Sequence, residues 1–221
     1  MARNFNSVNP DFLRGSAVVT AAPFSVSVWA RCTDESNDRG VWYIGRSGST
    51  NDFWAMRFND TGSGHTIRYR VSNGGATNVE TAATWTLNEW HHIGVVEAAS
   101  DDRRLYLDGG NKVTNSTSRT PNGGIDTTSV GRFDDVTPDN NYDGDIAHFA
   151  VWNVALTDAE MATLAAGISP LRVRRGALIA YWPLGGQSPE PDIVGGLGLT
   201  LNGTPAQAEE PPIPHSVVAP G

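Results

Sequence analysis

The stretch D-N-N-Y-D-G (139–144) places Asp139, Asn141 and Asp143 at the alternating spacing of side-chain oxygen donors in a calcium loop, with Gly144 to make the turn. An EF-hand loop also needs a bidentate acid at its twelfth position, which here is Ala150, and an entering helix, which Pro138 opposes. The helix-loop-helix reading therefore fails. What remains is a weak surface calcium held by Asp139, Asn141 and Asp143, with Asp134 and Asp135 nearby, and no other cofactor is expected.

A second grouping is cationic. In F-W-A-M-R-F (53–58) and H-T-I-R-Y-R-V-S (65–72), alternation puts Trp54, Met56 and Phe58 with Ile67, Tyr69 and Val71 on one apolar face. Arg57, Arg68 and Arg70 share the opposite face. Like charges on neighbouring strands repel by a few tenths of a kcal/mol. An acidic partner, such as a sulfated or sialylated glycan or another subunit's carboxylate, would relieve them. The competing expectation is a solvated face neutralised by nearby Asp and Glu. His91 and His92 follow Trp90 in a strand pattern, so one imidazole points inward, as a hydrogen-bonded core residue, and one outward. Cys32 is the sole cysteine, which excludes an intrachain disulfide and leaves a small buried apolar residue.

Catalytic constellations are missing from the sequence. Retaining glycoside hydrolysis needs two carboxylates about 5–5.5 Å apart, which on one strand means acids two or four residues apart. Glu80, Glu89, Glu97 and Glu160 are isolated from one another, and Asp143 and Asp145 share a side only at a turn. There is no G-x-S-x-G string, and no P-loop in a chain whose only lysine is Lys112. No enzyme is expected. A formal net charge of −8 gives no drive toward a phosphate backbone, so nucleic acid is not an expected partner. The chain shows no apolar run long enough for a membrane span or a secretory signal, and the expectation is a soluble protein without an export address. The sequons at Asn59, Asn115 and Asn202 are then chance matches.

The elements that must position these residues are strands. In F-S-V-S-V-W-A-R-C (24–32), Phe24, Val26, Val28, Ala30 and Cys32 share one face, and Ser25, Ser27, Trp29 and Arg31 the other. Similar runs occur at 41–45, 53–58, 65–72, 90–98, 103–108, 127–133, 146–152, 178–184 and 197–203, separated by turns such as N-D-T-G-S-G and P-N-G-G. About a dozen half-buried strands must pack apolar face on apolar face. The fold class is therefore all-β, a two-sheet antiparallel sandwich. Thr157 and Glu160 form a capping box for one short helix at about 157–166, closed by Gly167 and read as a lid over one end of the sandwich. Residues 1–204 form a single domain, and the Pro-rich 205–221 an extended arm able to order on a neighbouring subunit.

Two segments carry a family resemblance. T-L-N-E-W-H-H-I-G-V-V-E-A-A-S-D-D-R-R-L-Y-L-D-G-G (86–110) resembles the strand and hairpin of laminin G-like domains, and 142–167 is similar to that family's closing strand and capped helix. The resemblance implies a concanavalin A-like jelly roll. His148 stands where related domains often carry an acid. L-I-A-Y-W-P-L-G-G (178–186) resembles an opening strand of such domains, which implies a circularly permuted order with 178–184 beside the N-terminal strands. Two functions follow as expectations. The first is a particle surface protein, such as a phage capsid decoration or fibre protein, docking other subunits and forming homo-oligomers through the arm, on the virion surface if the source is viral. The alternative is a lectin-like module that recognises acidic or neutral glycans. The first is favoured here by a chain that starts and stops with its domain.

Overall fold

The computed structural model describes residues 1–8, 10–34, 36–60, 65–81, 83–135 and 140–213. The alternating runs become two stacked antiparallel sheets, the expected sandwich. The first sheet runs β10 (Gly110–Asn115), β9 (Asp102–Leu107), β8 (Trp90–Ala99), β3 (Phe24–Cys32), β12 (Gly144–Trp152), β1 (Ala2–Phe5) and β15 (Ala206–Ala208), with β13 (Leu178–Trp182) also paired to β12. The second runs β14 (Thr200–Asn202), β2 (Phe12–Ser16), β11 (Thr127–Val130), β4 (Arg39–Gly45), β5 (Phe53–Asp60), β6 (His65–Ser72) and β7 (Ala76–Glu80).

The alternation decides what lies between the sheets. Phe24, Val26 and Val28 of β3 join Trp54 and Met56 of β5 and Tyr69 and Val71 of β6 in one core, and all are buried. Trp42 packs between Tyr69 and Phe149, and Phe149 stacks on Trp182 with ring centres 5.3 Å apart. Burying side chains of this size stabilises by roughly 1.5–3 kcal/mol each. One polar cluster crosses this core. Glu97 of β8 accepts from the Tyr69 hydroxyl at 2.9 Å and from Arg103 Nε of β9 at 3.1 Å. The terminal nitrogens of Arg103 donate to the Ser100, Thr117 and Arg119 carbonyls. Burial pushes the Glu97 carboxyl up to about 7 against the pull of Arg103.

Helix α1 (Asp158–Ala165) has the expected capping box: the Thr157 side chain accepts from Glu160 N, and the Glu160 carboxylate accepts from Thr157 N at 2.8 Å. It does not cover an end of the sandwich. Its buried residues Met161 and Leu164 pack with Val96, Tyr106, Ala150 and Trp152 on the outer face of the first sheet. Gly94 permits this seat, because a Cβ there would lie 2.7 Å from Met161 Sδ.

The C-terminal region departs from expectation in its partners. Residues 178–182 pair with the far half of β12, while β1 pairs with its near half, so β13 and β1 border the same strand without pairing with each other. The strands beside the N-terminal ones are β14 on β2 and β15 on β1. The segment expected as an arm thus begins with a strand of the first sheet, and its last eight residues fall outside the described residues. Arg3 fixes this region to β1: Nε meets the buried Glu190 carboxylate at 2.5 Å, and the other nitrogens donate to the Pro205 and Gln187 carbonyls. Among the described residues no helix is long and apolar enough to cross a membrane.

Candidate functional site

Position 148 breaks the regularity of β12. Ala147 opposes Trp29 and Ala150 opposes Ser27, so β12 carries one extra residue against β3. His148 absorbs it at φ 53°, in the left-handed region that residues with a Cβ seldom occupy. The bulge has two results. Phe149 enters the core, and His148 turns to the outer face, where its Nδ1 lies 2.7 Å from the Tyr181 hydroxyl.

These two residues join Ser27 and Trp29 as the floor of a cleft of about 230 Å³. Leu164 of α1 and Ile168, Pro170 and Arg172 of the turns that follow it wall one side, and Glu210 and Ile213 of the C-terminal segment also line it. Below the floor, the Ser27 hydroxyl is 2.8 Å from His92 Nε2, and the Trp29 ring meets the His92 ring edge-on at 5.5 Å. Burial pushes the His92 imidazole down to about 4, so it is neutral near pH 7. Burial pushes the Tyr181 hydroxyl up to about 12, with Glu210 adding in the same direction, so it keeps its proton. The cleft therefore combines an aromatic surface with hydrogen-bonding groups held by their neighbours, and Arg172 and Glu210 bring one charge of each sign to its lining. Among the described residues its one lining acid is Glu210.

The expected arginine row forms in register, with Arg57 opposite Arg68 and Arg70 opposite Ala55 on the outer face of the second sheet. Two of its charges are matched by nearby acids. Arg57 pairs with Asp38 at 2.9 Å, Arg68 grips the Glu80 carboxylate through Nε at 3.0 Å and a terminal nitrogen at 2.9 Å, and Arg70 lies over the Phe53 ring at 5.6 Å. Of the expected calcium ligands, Asp139 lies outside the described residues. Asp143 accepts from the Ser7 hydroxyl at 2.7 Å and the Thr33 hydroxyl at 3.1 Å, and the Asn141 backbone carbonyl accepts from Arg39. Asp134 turns away to Ser129, Arg14 and Arg132. Among the described residues no group of three or more His, Cys, Asp or Glu could hold a metal ion. His91 is the inward member of the histidine pair and is hydrogen-bonded: its Nδ1 meets Asp108 at 2.9 Å and its Nε2 accepts from Thr86 N.

Alternation places Trp29 on an outer face and the family resemblance singles out His148, yet no sequence signal joins the two. Nothing in the spacing reveals the extra residue in β12, and Tyr181 and Ile213 reach the cleft only through pairings between distant segments.

The two stacked antiparallel sheets define a jelly-roll sandwich. The family model described as the concanavalin A-like lectin/glucanases superfamily matches residues 10–162, and the chain belongs to this laminin G-like family. No curated protein matches it. Among solved structures it is similar to a candidate carbohydrate-binding protein from Bacteroides ovatus, at 17% identity and a TM-score of 0.66, covering 96% of this chain and 61% of that one. The chain thus spans less than two thirds of that protein. It is also similar to the CBM40 domain of a Ruminococcus gnavus sialidase bound to α2,3-sialyllactose, at 11% identity and TM-score 0.55, covering 66% of this chain and 83% of that one. Domain 4 of the arabinanase AbnA from Geobacillus stearothermophilus, in complex with arabinotriose, is similar at 14% identity and TM-score 0.55, covering 68% of this chain and 70% of that one. At these identities the likeness is one of fold.

Proposed function

We propose that this chain is a non-catalytic carbohydrate-binding module whose seat is the cleft floored by Trp29, His148 and Tyr181. The observation that carries this reading is the pairing of an aromatic platform with a strained, hydrogen-bonded His–Tyr pair in one concavity. A sugar ring offers C–H groups to the negative face of an indole and hydroxyls to donors and acceptors at its edge. A single lining acid does not make the two-carboxylate arrangement of a glycosidase. The neighbours that hold sialyllactose and arabinotriose support a glycan ligand over docking on a particle surface. In this reading Arg57 and Arg68 fasten the second sheet, and Arg70 remains the arginine of that row with charge to offer an acidic sugar. Calcium at Asn141 and Asp143 has no part in it, since the Asp143 oxygens already serve Ser7 and Thr33.

The test is a glycan array followed by calorimetry on the array's best binder. Trp29→Ala is expected to weaken binding roughly tenfold or more, the loss of one aromatic stacking contact and its buried area. Wild-type affinity in that variant, with a named glycan bound, would place the seat elsewhere.

A further inference from the structure

At the Ser27 end the cleft meets helix α1, and past Trp29 the same outer face of β3 carries a further row of side chains. Helix α1 and the turn after it stand over the Ser27 end of the floor, through Leu164, Ile168 and Pro170. Along β3 in the opposite direction the next outward residue is Arg31, directly opposite Trp90 of β8 on one side and Asp145 of β12 on the other. Asn4 of β1 stands opposite Asp145 in turn. These four side chains form a row across four strands. Trp90 and Arg31 are only partly buried, with the Arg31 guanidinium 5.5 Å from the Trp90 ring centre. Arg31 also meets Asp145 at 2.5 Å, and Asn4 donates to Asp145 at 2.8 Å. Diagonal neighbours on a sheet lie about 7–8 Å apart, so Trp90 follows Trp29 at the distance of an adjoining binding position.

Resting on the carbohydrate reading above, we infer that the site takes the end of an oligosaccharide chain, with its terminal sugar in the cleft and the following sugars over Trp29 toward Trp90, Arg31 and Asn4. Helix α1, seated on the outer face over Ala150 and Trp152, stands across the line of β3 beyond Ser27, which sets end-on recognition. Trp90 supplies a second aromatic surface, and the Arg31–Asp145–Asn4 row supplies donors and acceptors whose orientation is fixed by their mutual hydrogen bonds. The row does not resemble a protein-docking face. It holds one aromatic side chain among three polar ones, whereas the centre of a stable protein interface is a continuous apolar patch.

The experiment uses the full chain on an array that carries oligosaccharides beside their terminal monosaccharides, followed by calorimetry with the best trisaccharide and its terminal monosaccharide. Wild type is expected to prefer the trisaccharide. Trp90→Ala lowers trisaccharide affinity roughly tenfold and leaves monosaccharide affinity unchanged, and Trp90→Phe recovers most of the loss. Asn4→Ala, which spares the aromatic ring, weakens the trisaccharide in the same selective way. Trisaccharide affinity unchanged in both Trp90→Ala and Asn4→Ala overturns the extended track while leaving the cleft reading intact. Equal wild-type affinity for monosaccharide and trisaccharide does the same. Failure of wild type to bind any glycan overturns the reading on which the track rests.

Discussion

His148 and His92 sit at one cleft and differ in what holds them. His148 adopts a left-handed conformation that costs about 1–2 kcal/mol for a residue with a Cβ. His148→Gly relieves that strain while losing the hydrogen bond to Tyr181. Stability measured by urea unfolding is expected to stay within about 1 kcal/mol of wild type, while glycan binding falls. A variant that unfolds far more easily and still binds would make the bulge a folding device. His92 titrates in the native state near 4, below its ordinary value of 6.5. A depressed native value means stability present above pH 6.5 that is lost as pH falls toward 4, by about 3 kcal/mol for this shift. The burial of the ring in the sheet is the cause. His92→Gln should flatten the stability profile between pH 6.5 and 4, and an unchanged slope would assign the acid sensitivity to other groups. The burial of Glu97 acts in the opposite direction, since its raised value favours the native state at low pH and that contribution is lost as pH rises through about 7.

At the scale of elements, Gly144 shows how one residue starts a strand. It holds φ 132°, and a Cβ there would lie 2.0 Å from the Arg31 carbonyl oxygen. Gly144→Ala therefore forces β12 away from β3, and a loss of at least about 3 kcal/mol is expected in urea unfolding. A loss under about 1 kcal/mol would mean that this junction is softer than its geometry. The D-N-N-Y-D-G string that resembles an ion loop thus leads into a strand, with Asp143 tied to Ser7 and Thr33.

The same scale explains what is legible in the sequence. The run 65–72 is a strand at those limits, and the helix begins at its Thr157 cap, because alternation and capping are local signals. Strands β1, β2, β7, β10 and β15 carry no such signal. They are short or largely exposed, as in the mostly exposed Gly110–Asn115, and their pairing is decided by tertiary hydrogen bonds rather than by pattern. The cleft is hidden for a related reason. Its floor depends on an extra residue in β12 and on β13 reaching β12, and neither leaves a mark in spacing.

For the whole molecule, the first strand is tied to the segment between β13 and β14 by one buried charge pair. Arg3 and Glu190 stand 187 residues apart in sequence, and both are buried. Arg3→Ala would leave the Glu190 carboxylate buried without its cation. The expected loss is about 3–5 kcal/mol, read as a fall in the urea midpoint with an unchanged slope. A variant within about 1 kcal/mol of wild type would show that water or backbone donors replace the guanidinium. The pair also bears on the cleft, since the segment it fixes leads through β15 to Glu210 and Ile213 in the cleft lining.

The border of β12 shared by β1 and β13 has a consequence in time. During synthesis β1 leaves the ribosome before the other strands, yet its partners are β12 and the far later β15. The sheet cannot close around β12 until the C-terminal strands have emerged. Strand β1 therefore waits as an open edge, and such non-local pairing folds on the scale of milliseconds to seconds. A nascent chain arrested before residue 206 is expected to remain open to protease near β1, and release of the full chain to remove that sensitivity.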